Sequence, residues 1–541
     1  MPRSTQVING REYVYEYRSV WNKQKKRSEP KREYLGRMID GEFVPNKRYL
    51  LMEKLANSSD SLKNDMQPQQ TKPGPVPVKE CKRTFCGATY LFNQISKKLC
   101  IETDLASSFP KIYKELLSLA YYIALEPFSP MYRFKRWAVS HDHPYGKDIP
   151  SQRSSELLPM ITEAAKMNFF RKQSKRRMEK EYLFYDSTSV SSYSEQLRQV
   201  KYGKNKDGEM LAQINLALLL GQVSGLPVYY RKLPGNITDV MTITNLLAGI
   251  EYLNLNKIKI VMDRGFYSAK NVNALFKAHY KFVIGARISL KFIQDQLKAE
   301  RADFDRHENY NYATGLFIKS QTMDWAYEET KARSGEVVNE PRRIYVHKYY
   351  NDQLATDEKM RFNKTLGLLA EELSSGKRKA EHETSYSKYF DITSTPVRGI
   401  RIKYKQAVID EARKNFGFFV LLSNGIKDPV EAINIYKSKD MIEKSFSDLK
   451  DRLNMRRTSV SSEENLEGKI FIQFIGLIYL SYVKQAMDKA GLFKNYTMQE
   501  LFDELDVIEK YQQPGGAAYF GEITEKQRGL FAFSLGFDPP A

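Results

Sequence analysis

Three acidic residues in separate parts of the chain have the chemistry to hold divalent metal ions. Asp186 follows apolar residues in EYLFYDSTS, Asp263 does so in KIKIVMDRG, and Glu443 lies in YKSKDMIEKSFSDLK. Carboxylate oxygens are preferred ligands of Mg²⁺, and two such ions stabilise the attacking and leaving oxygens during phosphodiester cleavage. We therefore predict that the three acids are catalytic metal ligands, with Mg²⁺ as the ion and Mn²⁺ as a substitute.

The helix predicted around Glu443 carries two stripes of residues. A buried face is expected for the apolar positions that recur at helical spacing, which are Ile435, Ile442, Phe446, Leu449 and Leu453. A polar stripe lies about 100° around the same helix and consists of Tyr436, Lys439, Glu443 and Lys450. Such a stripe is either a set of ion pairs on a solvated face or the wall of a site that contacts phosphates.

Apolar segments between residues 181 and 286 predict the sheet that must position the two aspartates. Short apolar strands alternate with helices predicted at about 239–254 and 268–279, which is typical of a buried mixed sheet. Asp186 and Asp263 are each predicted to end a strand. Because neighbouring strands lie about 4.8 Å apart, two strand-end carboxylates can share a cation. Taken singly, an aspartate at the end of a strand is commonly a helix cap or a turn former, so that neither aspartate alone indicates a site.

The composition favours a polyanionic partner. Lys and Arg number 85 against 65 Asp and Glu, which gives a net charge of +20. A surplus of this size on a folded chain is typical of nucleic-acid binding, and an anionic membrane is the alternative. The apolar stretch at 470–483 predicts a buried helix. The opening MPRSTQVING lacks the apolar stretch of a signal peptide, so we predict a cytoplasmic, nucleoid-associated protein that does not contact membranes.

Changes of composition along the chain predict seven regions of an α/β protein. They are a β-rich basic module (1–55), a linker (56–80), a helical DNA-binding region (81–180), the first part of the core (181–289), an insertion (290–405), the last part of the core (406–490) and a C-terminal helical region (491–541). The helical region ends in the basic run RKQSKRRMEK. Lys175, Arg176 and Arg177 in this run are predicted contacts to DNA, although a solvated helix face explains them equally well.

At these residues the sequence resembles the DDE transposases of bacterial insertion sequences. Members of the insertion-sequence-four superfamily carry Y-(2)-R-(3)-E-(6)-K on their last core helix, and the polar stripe matches every spacing and three of the four letters. YDSTSVSSYSE resembles the first-aspartate motif, and VMDRGFYSAKNV resembles the second, including Arg264. REYLGRMIDG and the long spacing between the acids resemble the larger-transposase subgroup, typified by element sixteen thirty-four.

This resemblance implies an RNase H-like mixed-sheet core interrupted by an insertion domain. It also implies cleavage of double-stranded DNA at terminal inverted repeats and joining of the ends to target DNA, by a homodimer that pairs two ends. The tyrosine and the basic residues of the stripe would hold DNA phosphates, as would Arg264. Trp325 would stack on a flipped base, unless it is an ordinary core or surface aromatic. Lys439 stands where the family has Arg, and Lys cannot form the bidentate contact to phosphate.

Two other functions remain open from the sequence. A domesticated or regulatory protein of this family would bind DNA without cutting it. An RNase H-like structure-specific nuclease would cut DNA without joining the ends. The three acids favour an active transposase.

Overall fold

The structure is a computed structural model that describes residues 3–8, 10–22, 27–39, 41–50, 81–177, 180–253, 258–330, 337–395 and 399–541. The described residues divide into two compact units. One unit comprises Met1–Cys81 with Gln513–Gly516, and the other comprises Lys82–Gln512 with Ala517–Ala541. The predicted linker 56–80 lies outside the described residues.

An antiparallel sheet forms the described part of the first unit. Its strands, in spatial and chain order, are β1 (Arg3–Ile8), β2 (Arg11–Asn22), β3 (Arg27–Ile39) and β4 (Glu42–Pro45). Val14 and Leu35 are buried, and the rings of Tyr13 and Tyr15 both lie 5.8 Å from that of Tyr34. The β-rich character predicted for this part of the chain is confirmed.

The second unit begins with a short strand and a run of helices. These are β5 (Lys82–Phe85), α1 (Gly87–Leu99), α2 (Ile101–Ser108), α3 (Tyr113–Leu125), α4 (Phe134–Ser140), α5 (Ser151–Leu157) and α6 (Glu163–Lys175). Their buried apolar residues belong to the same hydrophobic core as the sheet that follows. The helical region is therefore continuous with the central sheet rather than a separately packed domain.

The central sheet has nine strands among the described residues. They are β6 (Leu183–Ser191), β7 (Gln213–Gly221), β8 (Pro227–Pro234), β9 (Lys259–Met262), β10 (Lys281–Ala286), β11 (Tyr310–Asn311), β12 (Leu316–Thr330), β13 (Val337–Tyr350) and β16 (Phe418–Ser423). The helices between them are α7 (Asp239–Leu253), α8 (Ala269–Lys277) and α9 (Lys291–Glu300).

Five of these strands form the RNase H-like core in the order β8-β7-β6-β9-β10. Strands β6, β9 and β10 are parallel, whereas β7 pairs antiparallel with both β6 and β8. The parallel strands are almost entirely buried, as expected when helices cover both faces of a sheet. The predicted mixed α/β fold is confirmed.

Half of the predicted insertion extends this sheet. Strand β16 pairs with β10, β13 pairs with β16, and β12 and β11 follow, all antiparallel. Within the predicted insertion, the segment RRIYVHKYY has a strand-like residue pattern, and it lies in β13. The missed strand β12 exposes many polar side chains and therefore lacks the apolar run that identifies a buried strand.

The other half of the insertion has a small core of its own. It comprises α10 (Asp352–Ser374), α11 (Glu383–Tyr389), β14 (Phe390–Thr395) and β15 (Gly399–Tyr404), together with α12 (Gln406–Arg413), which the prediction assigned to the last part of the core. Its buried residues are Leu366, Leu369, Leu373, Tyr386, Phe390 and Ile409. Residues 352–413 therefore form a satellite beside the central sheet.

The last part of the chain supplies helices that cover the core. They are α13 (Pro429–Lys437), α14 (Asp440–Ser447), a π-helical turn (Asp448–Arg452), α15 (Glu463–Lys489), α16 (Met498–Asp506) and α17 (Glu525–Gly529), with strands β17 (Glu509–Gln512) and β18 (Ala518–Phe520). Helix α15 is long and apolar enough to cross a membrane, but 78% of its most apolar stretch is buried inside the protein. It is the core helix predicted at 470–483.

Candidate active site

Asp186 and Asp263 lie side by side at one edge of the parallel strands. The pairing of β6 with β9 ends with Tyr185 opposite Met262, and each aspartate is the next residue. The adjacent backbones are about 4.8 Å apart. Strand β6 does not end at Asp186 as predicted, because its polar continuation to Ser191 still pairs with β7. The register nevertheless brings the two predicted acids together.

Asp263 is held by two residues of the polar stripe. Tyr436 Oη donates a 2.5 Å hydrogen bond to Asp263 Oδ1, and Lys439 Nζ lies 3.3 Å from the same oxygen. Lys439 Nζ is also 3.9 Å from Glu443 Oε1. The ammonium group of Lys439 thus lies between the second aspartate and the glutamate.

These contacts keep Asp263 ionised. Burial alone would raise the pKa of the Asp263 carboxyl, but the hydrogen bond from Tyr436 and the charge of Lys439 outweigh it and lower that pKa below its ordinary value. Burial and the charge of Asp263 raise the pKa of the Tyr436 hydroxyl, which therefore remains a hydrogen-bond donor. Tyr436, which was predicted to hold a phosphate, holds the Asp263 carboxylate in this structure.

Asp186 has neighbours that the sequence did not indicate. Its Oδ1 accepts a 2.7 Å hydrogen bond from the backbone N–H of Ser187, and Lys206 Nζ lies 3.4 Å away. Ser187 Oγ donates to Asp239 Oδ1 at 2.7 Å, and Lys206 Nζ is 3.4 Å from that same atom. Burial raises the pKa of the Asp186 carboxyl, whereas Lys206 opposes this rise.

Asp239 and Lys206 were missed because their local sequences explain them without chemistry. Asp239 opens α7 after the turn PGNI, where an acidic residue is an ordinary helix-terminus feature. Lys206 lies in the sequence NKDG, which is a typical turn. Only the contacts across the sheet edge bring both residues to Asp186.

The predicted single helix from Tyr436 to Lys450 is broken in two places. Helix α13 ends at Lys437, and α14 begins at Asp440 after a tight turn in which Lys439 N–H donates to Tyr436 O at 3.2 Å. Lys450 then lies in the π-helical turn. The buried stripe is confirmed, because Ile435, Ile442, Phe446, Leu449 and Leu453 are all at most 7% exposed.

Lys450 is not free to contact a phosphate in this structure. Its side chain is 8% exposed, and its Nζ lies 2.7 and 2.6 Å from the two carboxylate oxygens of Asp207. The change to π-helical geometry after Ser447 alters the alignment expected for residues seven apart on one α-helix. The Lys450 ammonium group is thus held by Asp207 in this structure.

A cleft of about 680 Å³ opens beside Asp263. Its lining includes Arg264, Arg287, Phe419, Tyr436 and Lys439. This lining combines three cationic side chains with aromatic rings, which is a suitable environment for a nucleotide phosphate and its base. Arg264, predicted to contact DNA, therefore lies at the acid cluster.

Trp325 does not present a ring for base stacking. It lies on β12 and is 8% exposed, with Nε1 donating a 2.7 Å hydrogen bond to Asn273 Oδ1. Phe292 contacts the ring edge-on, at 6.4 Å between centroids. This buried position corrects the predicted base-stacking role and corresponds to the alternative of a core aromatic.

Two residues of the predicted basic run are occupied by contacts within the helical region. Arg176 Nη2 lies 3.0 Å from Asp104 Oδ1, and Arg177 Nη2 donates to Gln173 Oε1 at 2.7 Å. Burial lowers the pKa of the Arg177 guanidinium to about 10. Lys175 is exposed at the end of α6. Of the three predicted DNA contacts, Arg177 is therefore the one that the fold directs inward.

Gly285 provides the space in which Tyr436 reaches Asp263. A Cβ added to Gly285 would lie 2.9 Å from both Tyr436 Oη and the backbone nitrogen of Arg264. We expect Gly285→Ala to lower the cleavage rate by about tenfold to a hundredfold, because misplacement of catalytic groups by about 1 Å has effects of this size. A single-turnover cleavage assay measures it.

Gly367→Ala on α10 is the matched control for this substitution. Its added Cβ would meet no atom within 4 Å, and Gly367 lies in the satellite rather than at the acid cluster. Full activity of Gly285→Ala would show that the position of Tyr436 is unimportant for cleavage.

The carboxylates fit a hard divalent cation. In the described part of the chain, no three His, Cys, Asp or Glu side chains are grouped closely enough to hold an ion together. The acids instead form two pairs with an ammonium group between their members: Lys206 between Asp186 and Asp239, and Lys439 between Asp263 and Glu443. One or two carboxylates completed by water are sufficient for Mg²⁺.

An RNase H-like sheet with acids at the edge of its parallel strands, next to basic side chains, defines an enzyme of nucleic-acid phosphodiester chemistry. The family described as transposase DDE domain matches residues 177–479, which is more than half of the chain. The chain belongs to this family and is a DNA transposase, an enzyme that cleaves and joins DNA with the help of divalent metal ions. The prediction of a DDE transposase is confirmed.

The comparison with solved structures gives a more distant likeness. The chain is similar to a piggyBac transposase in a cryo-EM structure of its synaptic complex with hairpin DNA. The TM-score is 0.33 and the sequence identity 11%, over 84% of this chain and 75% of that chain. These values are too low to support an argument about this chain. No curated protein sequence matches it.

Proposed function

We propose that the chain transposes an insertion sequence by cutting at its terminal inverted repeats and joining the ends to target DNA. Asp186, Asp263 and Glu443 are the proposed metal ligands. The observation that carries this assignment is the register of β6 and β9, which makes the two aspartates neighbours. Glu443 is linked to them because Lys439 contacts both Glu443 and Asp263.

The proposed ion is Mg²⁺, with Mn²⁺ as a substitute. When bound, such ions stabilise negative charge on the attacking and leaving oxygens of the phosphodiester. The residues of the chain prepare the ligands for this task. Tyr436 orients the Asp263 carboxylate and stabilises its charged form. Hydrogen bonding from the Ser187 backbone fixes one oxygen of Asp186.

Double-stranded DNA of the transposon ends and of the target is the proposed partner. Arg264 and Lys439 line the cleft beside Asp263 and are the residues best placed to contact a phosphate near the cleavage point. Lys439 can provide charge there, but not the bidentate fork of an arginine. Lys450 contributes only after Asp207 has released it, and Lys175 remains a more peripheral candidate.

The finer classification follows from the sequence motifs. We place the chain in the insertion-sequence-four superfamily and its larger-transposase subgroup, and we propose that it acts as a homodimer at the bacterial nucleoid. The β-rich module (1–55) and the helical region (81–180) are the candidates for reading the inverted repeats. Their surplus of basic residues supports this assignment.

A plasmid cleavage assay tests the proposal. The substrate carries the DNA that flanks the gene and is incubated with Mg²⁺, Mn²⁺ or a chelator. We expect metal-dependent breaks at two inverted repeats. The cleaved ends of the element should then be joined to target DNA. Specific binding without breaks would indicate a domesticated DNA-binding protein, and breaks without joining would indicate a nuclease.

A further inference from the structure

The segment between β6 and β7 (residues 192–212), called the β6–β7 segment, places three charged side chains on the candidate active site. They are Lys206, Asp207 and Glu209. Each contacts a residue of opposite charge: Lys206 contacts Asp186, Asp207 contacts Lys450, and Glu209 contacts Arg457. None of these contacts was apparent from the sequence.

Lys206 occupies a position suited to a cation. Its Nζ is surrounded by oxygens at 2.7 Å from Ser187 O, 3.0 Å from Ser187 Oγ and 3.4 Å from both Asp186 Oδ1 and Asp239 Oδ1. A metal ion held by Asp186 Oδ1 would compete with the Lys206 ammonium group for this oxygen. Lys206 and such an ion are therefore expected to exclude each other.

Asp207 and Glu209 occupy positions suited to phosphates. Asp207 presents both carboxylate oxygens to Lys450 Nζ. Glu209 forms two parallel hydrogen bonds with the guanidinium of Arg457, each 2.8 Å long. This fork is the geometry in which arginine also binds a phosphate group. Arg457 follows the π-helical turn and lies on the same side of the core as Lys450, since both contact this one segment.

Ion pairs and a few hydrogen bonds to β6, such as those from Lys206 N–H to Ser189 Oγ and from Asn205 Nδ2 to Ser191 Oγ, attach the tip of the β6–β7 segment, rather than apolar packing. Its base is fixed by backbone hydrogen bonds between Lys201 and Gln213. Beyond that point Tyr202 is 77% exposed and Met210 is 96% exposed. A tip held by charged groups can be released when ions of the same charges replace them, whereas an apolar contact would have to be exposed to water.

We propose that the β6–β7 segment mimics metal and DNA in the free protein. Lys206 stands in for a divalent cation at Asp186, while Asp207 and Glu209 stand in for two DNA phosphates on Lys450 and Arg457. Metal and DNA displace the segment, and Arg457 then becomes a phosphate-binding residue. This inference rests on the proposed function, because it assumes that Asp186 binds metal.

When a phosphate replaces Asp207 at Lys450, no buried charge is left without a partner. Lys450 is almost entirely buried, so losing Asp207 without replacement would be strongly unfavourable. A phosphate that enters as Asp207 leaves satisfies the same ammonium group. The segment therefore restrains the site until both ligands are present, which limits unproductive metal or DNA binding.

Metal affinity measured by isothermal calorimetry with Mn²⁺ tests the part played by Lys206. We expect Lys206→Gln in the full chain to bind Mn²⁺ roughly fivefold more tightly than wild type. The reason is that the substitution removes a partly exposed ammonium group that competes with the ion for Asp186. Equal or weaker binding would overturn the proposal. Asp186→Asn separates the two hypotheses: if it binds Mn²⁺ as wild type does, Asp186 is not a metal ligand and the metal site itself has been wrongly assigned.

Hydrogen–deuterium exchange tests release of the segment without any substitution. We expect peptides from 201–212 in the wild-type protein to exchange faster once Mn²⁺ and end DNA are bound. Slower or unchanged exchange would show that the segment stays in place and that its ion pairs are structural.

DNA affinity tests the two carboxylates. We expect the double variant Asp207→Asn, Glu209→Gln to bind DNA more tightly than Glu195→Gln, which removes one charge from the same segment. Glu195 is exposed and forms no ion pair within the described residues. If the double variant gains no more affinity per removed charge than this control, Lys450 and Arg457 are not phosphate sites.

Discussion

Asp263→Asn is expected to abolish DNA cleavage while leaving DNA binding intact. The substitution removes one negative charge from a residue that Tyr436 and Lys439 hold in its ionised form. Losing a metal ligand removes several kcal/mol of transition-state stabilisation, which corresponds to a rate loss of roughly 10³-fold or more. DNA affinity derives mainly from phosphate contacts by basic residues and should therefore persist.

Asp428→Asn is the matched control for this prediction. Asp428 caps the start of α13 by accepting a hydrogen bond from Val430 N–H, and asparagine serves as a cap equally well. The control should cleave DNA at the wild-type rate. If Asp263→Asn loses DNA binding along with cleavage, Asp263 stabilises the fold rather than the reaction.

Glu467→Gln is expected to lower the stability of the fold strongly, because it removes a carboxylate that two buried lysines share. Glu467 on α15 lies 2.6 Å from Lys166 Nζ and 3.0 Å from Lys232 Nζ. These lysine side chains are only 3% and 5% exposed, and each retains one other glutamate partner. We expect a loss of about 3 kcal/mol and a fall in melting temperature of roughly 5 °C.

The stability difference should depend on pH. Burial would raise the pKa of the Glu467 carboxyl, but Lys166 and Lys232 outweigh it and lower that pKa below its ordinary value. The stabilising effect is therefore fully present above the unfolded-state pKa of about 4.3 and is lost as the pH falls through the lower folded-state value. Melting curves at pH 7 and below pH 4 should show the wild type approaching the variant.

Glu464→Gln provides the comparison, since Glu464 lies on the same helix and is exposed. This change should alter the stability by no more than about 0.5 kcal/mol. Equal melting temperatures for Glu467→Gln and Glu464→Gln at pH 7 would mean that the two buried lysines are satisfied without Glu467.

The local elements of the core followed from residue patterns. The apolar segments predicted strands β6 to β10 and the helices between them, and the spacing of Ile442, Phe446 and Leu449 predicted a buried helix face. Such patterns are reliable because side-chain periodicity follows directly from backbone geometry. The residue patterns were least informative for β12, because this long strand carries largely polar residues at its exposed positions.

The types of the candidate catalytic residues were also evident from the sequence, but their partners were not. Asp186, Asp263 and Glu443 were identified as carboxylates that a metal-dependent reaction needs. Lys206 and Asp239 occupy ordinary turn and helix-start positions along the chain. Only the register of the sheet shows that they surround Asp186.

The tertiary structure also decided which predicted DNA contacts are accessible. Lys450 is paired with Asp207, which is 243 positions away along the chain, and Trp325 is buried on a strand that joins the central sheet. By itself, the sequence determined the α/β core, the acid set and the basic surplus, because these depend on composition and on periodicity over a few residues. Charge pairing and burial were decided only by the fold, because they depend on segments that meet across the sheet.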